Sequence, residues 1–382
     1  MTPSLTGAIH VCLLGDDPVR IMTPALDPAL APREVVLVVS PQMQERAGWL
    51  EAVLRPRGIQ VTRWPIADAW DITGVRDTLL HHVIERGGEP LILNASGGTK
   101  PMALGAFDVF RGLGRPVFYV HPVADQLIWL HPDDRGTHPL ADVVNLRTFF
   151  EAHGAAVEAV AGTQGVPTAY RELTDTLIRH VARFERPLGT LNYLAGSARG
   201  EDLFSRPTGH TPPGFGDLVH LFAEAGVLRP VGDRLQFKNE DARFFAQGGW
   251  LEQHVFSVLW GLKAERPIQD LARGVEIVRH VGGAPVHNEL DVACLADNAL
   301  YLVEAKTKHF EKGEGAEVVY KIETLRELLG AVHARAMIVS YKPLGEAHRR
   351  RARDLGIATC IGEEIGWLRE QLRHLIPAQR GR

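Results

Sequence analysis

Charged residues interrupt two apolar runs in the C-terminal third of the chain, Asn288-Glu289-Leu290-Asp291-Val292-Ala293-Cys294-Leu295 and Leu300-Tyr301-Leu302-Val303-Glu304-Ala305-Lys306. Both runs read as β-strands, and Ala296-Asp297-Asn298-Ala299 between them reads as a hairpin turn. Side chains alternate along a strand, so Glu289 and Asp291 share one face of the first and Glu304 and Lys306 one face of the second. A turn centred between Asp297 and Asn298 sets Asp291 opposite Glu304 and Glu289 opposite Lys306. Directly opposed Cβ atoms lie about 4.5–5.5 Å apart, and two carboxylates at that distance repel unless something positive sits between them. A divalent cation is the natural occupant. The carboxylates of Asp291 and Glu304, with the carbonyl of Ala305 and waters, are hard oxygen donors that suit Mg2+ or Mn2+ better than zinc. Lys306 beside such an ion would orient or help deprotonate a water, or stabilise charge building on a phosphorane. A plain ion-pair cluster is the competing explanation, and it leaves three carboxylates to one lysine.

A second constellation lies near the other end. Leu91-Ile92-Leu93-Asn94-Ala95-Ser96-Gly97-Gly98-Thr99-Lys100-Pro101-Met102 reads as a strand, a turn of small residues and a helix with proline near its start. Glycines let backbone approach an anion closely, the helix N-terminus faces it with free N–H groups, and Ser96, Thr99 and Lys100 add donors. The alternative is purely local, with Ser96 or Thr99 capping the helix and Gly97-Gly98 making a tight turn. The pattern is neither a Walker A loop nor a G-x-G-x-x-G fingerprint, which removes support for ATP hydrolysis and dinucleotide chemistry. Gly15 and Asp16, in the loop after the first strand, could line the same crevice, or form an ordinary solvated loop.

Two α/β units are needed to hold these residues. Strands at Ile9–Leu14, Glu34–Val39, Gly58–Trp64, Pro90–Asn94 and Pro116–Val120 alternate with helical patterns at Gln42–Leu54, Ala67–Ile84 and Pro101–Leu113. Residues 1–150 therefore form a Rossmann-like domain whose ligands bind at the carboxyl ends of the strands. Residues 151–245 read as a connecting region in which a helix leads into a short hairpin, a winged-helix-like shape. A second α/β domain, 246–382, contains the charged hairpin. A length of 382 residues accommodates this division. With 42 basic against 46 acidic residues the chain is no general polyanion coat, yet Lys306 to Arg353 holds eleven Lys and Arg against six acids. Within that stretch Lys308, Tyr320 and Lys321 are candidate nucleic-acid contacts, as is Glu289 of the hairpin. The three cysteines are far apart and have no zinc or redox spacing. No apolar run approaches a membrane span and no basic leader precedes Leu14, so no membrane partner and a cytoplasmic location are expected.

The run Asn94 to Lys100, in this place in an N-terminal Rossmann-like domain, resembles the ligand-binding motif of CARF domains, which sense cyclic oligoadenylates. The resemblance implies a homodimer whose two Ser96–Lys100 turns hold one symmetric ligand. Asp291 with Glu304-Ala305-Lys306 resembles the PD-(D/E)XK nuclease pattern, although Leu290 stands where that pattern has proline. Such enzymes often add a glutamate from the preceding helix, which Glu252 matches; a solvated helix residue is the other reading of it. The combination resembles the CARF nucleases of type III CRISPR defence. It implies a restriction-endonuclease-like second domain, activation by cyclic tetra-adenylate, and RNA or DNA cleavage that needs Mn2+ or Mg2+. A CARF-type transcription regulator and a ligand-independent restriction-like nuclease are the competing classes.

Overall fold

The structure, a computed structural model, describes residues 6–121, 124–163, 167–307, 314–330 and 333–378. The first domain runs β1 (Ile9–Leu13), α1 (Val19–Leu26), β2 (Glu34–Val39), α2 (Gln44–Leu54), β3 (Gln60–Pro65), α3 (Ile72–Glu85), β4 (Leu91–Asn94), α4 (Lys100–Gly112), β5 (Val117–His121), β6 (Gln126–His131), β7 (Thr137–Pro139) and α5 (Leu146–Ala152). Its sheet has the order β3-β2-β1-β4-β5-β6-β7. The first five strands in chain order are parallel, and β6 and β7 add antiparallel at one edge. β1 and β2 are buried throughout, as unbroken apolar runs covered on both faces must be.

Several boundaries differ from expectation for local reasons. The helix expected from Ala67 begins at Ile72, because Asp71 caps it by accepting from the Thr73 N–H at 3.1 Å. The loop after β1 turns into the short helix α1, whose apolar face is buried.

The connecting region is more structured than its composition suggested. β8 (Ala155–Gly162) pairs antiparallel with β11 (Ile268–Val281) and so is an edge strand of the second sheet, a correction to its reading as connecting chain. Two helices follow, α6 (Thr168–Arg179) and α7 (Val181–Ser197). α7 continues through Pro187 because Leu188, Leu191 and Leu194 are buried against the second domain, and that burial outweighs one lost backbone hydrogen bond. α8 (Phe215–Glu224) leads into the hairpin of β9 (Leu228–Val231) and β10 (Arg234–Phe237).

The second domain comprises α9 (Glu240–Phe244), α10 (Trp250–Leu262), β11, β12 (Ala284–Ala296), β13 (Ala299–Lys306), α11 (Glu314–Leu329), β14 (Ala334–Ser340), α12 (Glu346–Asp354), β15 (Ala358–Ile361) and α13 (Leu368–Leu375). Its sheet has the order β15-β14-β13-β12-β11-β8. One face packs on α6, α7, α8, α10 and α13 through residues such as Leu191, Trp250, Phe256, Val303 and Tyr341. The other packs directly on the first domain: Leu50 and Val53 of α2 and Phe149 and Phe150 of α5 share one continuous core with Ile277, Leu295, Leu302 and Leu325. The two domains of one chain are thus welded by apolar contact.

Candidate active site

The charged hairpin forms with the expected register, Val292 facing Val303 and Ala293 facing Leu302. Asp297 and Asn298 at its tip have φ of 48° and 54°, the left-handed pair that a two-residue turn of this hand requires. Beyond Val292 the ladder stops. The Ala305 N–H donates to Asp291 Oδ2 at 2.7 Å, so a side chain takes the place of the next backbone partner. Glu289 consequently pairs with Glu276 of β11 and stays exposed, a correction to its expected place opposite Lys306. Lys306 turns instead to Glu304 Oε1 at 2.7 Å and Asp291 Oδ2 at 3.6 Å. A second lysine reaches the same oxygen: Lys321 Nζ of α11 lies 2.8 Å from Glu304 Oε1. Lys321 therefore belongs to the carboxylate cluster, and Tyr320 beside it is half exposed. Lys308 lies outside the described residues.

The electrostatics show carboxylates crowded in a buried place, which raises their hold on protons. Asp291 and Glu304 are buried, at 7% and 3% exposure. Burial, then the Glu304 carboxylate, push Asp291 up to about 6 against the pull of Lys306. Glu252, in the first turn of α10, is pushed up to about 9 by burial and then by Asp291 and Glu289. Burial works against the charge of Lys306, but Asp291 and Glu304 overcome it and hold its pKa above the ordinary range. Among the described residues no three acidic, His or Cys side chains gather at metal-binding spacing, so Glu252 does not close a cage with Asp291 and Glu304 here. The donor chemistry nonetheless fits a hard divalent cation: two buried carboxylates with raised proton affinity beside a backbone carbonyl, with Glu252 in electrostatic reach.

Two supports escaped sequence reading. Thr307, directly after Lys306, is hydrogen-bonded at 3.1 Å to Asn192 of α7, which ties the connecting region to the end of β13. Gly248, at φ 127°, sits where a Cβ would strike the Thr307 hydroxyl at 2.1 Å.

At the other site the small-residue turn is closed by its own side chains. Asn94 Oδ1 accepts from the Ser96 N–H and hydroxyl at 3.1 and 2.5 Å, and its amide donates to the Arg20 carbonyl. Ser96 Oγ in turn accepts from the Val120 N–H at 2.7 Å, while Thr99 caps α4 and donates to the Ala69 carbonyl. These hydroxyls shape the turn, leaving the Gly97-Gly98 backbone and the exposed Lys100 to face outward. Gly97 is obligatory, because a Cβ there would lie 2.1 Å from the Leu13 carbonyl oxygen. Gly15 packs so closely on the same turn that its Cβ would meet the Gly98 nitrogen at 2.8 Å. Asp16 points away, toward Arg46 at 3.4 Å.

Two polar joints connect the sites within the chain. Asp17 accepts from Arg20 at 2.8 Å and meets His333, at the foot of β14, at 2.7 Å. Arg20 itself donates to the Ser96 carbonyl and Tyr119 hydroxyl. Asn298, at the hairpin tip, donates to Asp125 Oδ2 at 2.8 Å and is clamped by Gln269.

Residues 9–149 match the family described as the Card1 CARF domain, and residues 239–378 the Card1-like endonuclease domain. Among solved structures, protein VC1899 from Vibrio cholerae is 30% identical over 98% of this chain and 99% of its own, with a TM-score of 0.89. Can2 from Sulfobacillus thermosulfidooxidans, solved in complex with cyclic tetra-adenylate, is 27% identical over 97% of this chain and 100% of its own, with a TM-score of 0.81. A type III CRISPR defence DNA nuclease activated by cyclic oligoadenylate shares the fold at 19% identity and a TM-score of 0.57, with 98% of this chain and 53% of that one covered. No curated protein matches the sequence. The chain belongs to the family that joins a Card1 CARF domain to a Card1-like endonuclease domain.

Proposed function

We propose that this CARF endonuclease is switched on by a cyclic oligoadenylate, cyclic tetra-adenylate first among them, and cuts RNA or DNA in type III CRISPR antiviral defence. The observation that carries the reading is the presence in one chain of a glycine turn with outward-facing backbone and a buried Asp291–Glu304–Lys306 cluster of crowded carboxylates. The acting species is a homodimer in the cytoplasm, with 1–150 sensing, 151–245 connecting and 246–382 cutting, helped by β8 as an edge strand. No helix among the described residues is long and apolar enough to cross a membrane.

Asp291 and Glu304, with the Ala305 carbonyl and Glu252 behind them, would hold the Mn2+ or Mg2+. When bound, the ion supplies an activated water and neutralises charge on the phosphodiester. Lys306 remains protonated and faces the phosphate's developing charge. Lys321 fixes Glu304 in one rotamer, so that the carboxylate is aimed before substrate arrives. Because the domains share a core within each chain, the activator acts by reorienting one protomer against the other, and it must bind the cutting arrangement more tightly.

The test is cleavage of labelled single-stranded RNA, single-stranded DNA and supercoiled plasmid in Mn2+ or Mg2+, with and without cyclic tetra-adenylate, beside Glu304→Ala. Cutting that requires activator, metal and Glu304 is expected. Tight activator binding without any cutting would turn the reading to a ligand-responsive regulator, and cutting indifferent to activator would remove the sensor role.

A further inference from the structure

The connecting region reaches the carboxylate cluster through one buried amide. Asn192 of α7 is buried beside Thr307, the residue that follows Lys306. Of the two ways an amide can lie there, one gives every neighbour a partner of the right kind. In it the Asn192 nitrogen donates to the carbonyls of Leu188 and Ala246 at 3.1 and 3.0 Å, and the oxygen accepts from the Thr307 hydroxyl at 3.1 Å. Leu188 is one turn back on α7 itself. Ala246 lies in the π-helical turn Phe245–Gly249 that leads into α10. One side chain thus joins the connecting region, the entry to α10 and the end of β13.

The elements around this joint hold Lys306 from both sides. Gly248, in the same π-helical turn, brings a bare Cα against the pair: a Cβ there would lie 2.1 Å from the Thr307 hydroxyl oxygen and 3.6 Å from the Asn192 amide. Two turns back along the same face of α7, the Glu185 carbonyl accepts from Nζ of the fully buried Lys342. Lys342 follows Tyr341, whose N–H donates to the Lys306 carbonyl at 2.8 Å. Trp250, the first residue of α10, lies edge-on to the Tyr341 ring with centres 5.2 Å apart. Glu252 stands two residues further on, within electrostatic reach of Asp291, Glu304 and Lys306. Apolar packing alone lets a helix slide on a strand, whereas paired buried polar groups fix one register.

We infer that Asn192 is a positioning residue for cleavage: by joining the Thr307 hydroxyl to the Ala246 carbonyl it fixes the start of α10, and with it Glu252, against the end of β13 that carries Glu304 and Lys306. This rests on the nuclease reading above and deepens it, since a residue of the connecting region then sets the spacing of the oxygen donors. Without the joint, α10 is free to shift on β13 and the carboxylates no longer converge.

The test uses the full-length protein with cyclic tetra-adenylate. Binding of Mn2+ alone, without substrate, is followed by the loss of the free ion's electron paramagnetic resonance signal. On whichever labelled nucleic acid the native protein cuts, kcat and KM are measured separately. Asn192→Ala and Thr307→Val should each weaken Mn2+ binding and lower kcat by about 10- to 100-fold, the range for groups that hold metal ligands in place. KM should change by less than about twofold, because both residues are buried away from substrate. Thr307→Ser keeps the hydroxyl and should keep native values. Leu218→Ala, a cavity on α8 in the core that also contains Trp250 and Val303, should lower the melting temperature and leave Mn2+ binding and kcat unchanged. Native-like behaviour of both Asn192→Ala and Thr307→Val overturns the inference. Equal losses in Leu218→Ala, or a Thr307→Ser variant as impaired as Thr307→Val, overturn it also, because the joint would then serve stability alone. A native protein that binds no Mn2+ and cuts nothing overturns the nuclease reading instead.

Discussion

The glycine turn after β4 and the carboxylate hairpin treat their polar groups in opposite ways. In the turn after β4 the three polar side chains from Asn94 to Thr99, those of Asn94, Ser96 and Thr99, are engaged internally, and what faces outward is backbone. Around the hairpin the carboxylates are buried and crowded together, so that Asp291 and Glu252 hold protons more tightly than ordinary acids. The first is closed on itself; the second keeps its charges confronting one another. Preorganised backbone costs little to keep, because its donors are polar but uncharged, whereas buried like charges are kept only where something else is gained.

The strongest test of this contrast is Glu304→Ala, which removes the shared partner of Lys306 and Lys321. Cleavage should fall on the order of 10^3-fold, as expected when several kcal/mol of charge stabilisation are lost, while activator binding by calorimetry stays native. Gly97→Ala should do the reverse. Its methyl cannot fit against the Leu13 carbonyl, so activator affinity should drop by about a hundredfold and stability by about 1–3 kcal/mol, read by calorimetry and thermal melting. Residual, activator-independent cutting should be unaffected.

The joints should give smaller effects. His333→Ala removes a charged hydrogen bond to Asp17 and should cost about 1–3 kcal/mol of stability. It should also reduce activator stimulation several-fold without changing activator affinity, as seen in dose–response curves of cleavage. The last effect is one of pH and concerns Asp125, whose pKa burial and nearby carboxylates push up to about 7. Its folded value is above its unfolded one, so the folded state binds more protons between about pH 4 and pH 7, and stability declines as pH rises through that window. Asp125→Asn should flatten this decline, and melting at pH 8 against pH 5 should differ less than in the native protein.

The charged hairpin was legible because it is local. An Asp-Asn turn fixes the register, and two residues on alternating strands then meet whatever the rest of the chain does. Glu289 departed from that logic only where the Asp291 side chain replaced a backbone partner. What stayed hidden depends on distant chain. β8, Ala-Ala-Val-Glu-Ala-Val-Ala-Gly, is half exposed and has no apolar run; β11, more than a hundred residues on, makes it a strand. Lys321 looked like a surface cation because nothing in its own helix shows that Glu304 lies within reach. Ser96 and Thr99 had two readings from sequence, ligand donor or cap, and only the positions of Asn94, Val120 and Ala69 show their hydroxyls already occupied.

The apolar weld between α2, α5 and the second sheet also bears on the safety of carrying such a protein. A nuclease that worked when detached from its sensor would endanger its own cell whenever a protease nicked the chain. Here, separation after α5 would leave β8 with its sheet but strip away α2 and α5, the cover over Ile277, Leu295 and Leu302. The freed fragment would carry a broad bare apolar face and would aggregate before it could cut. Damage to the switch thereby disarms the blade.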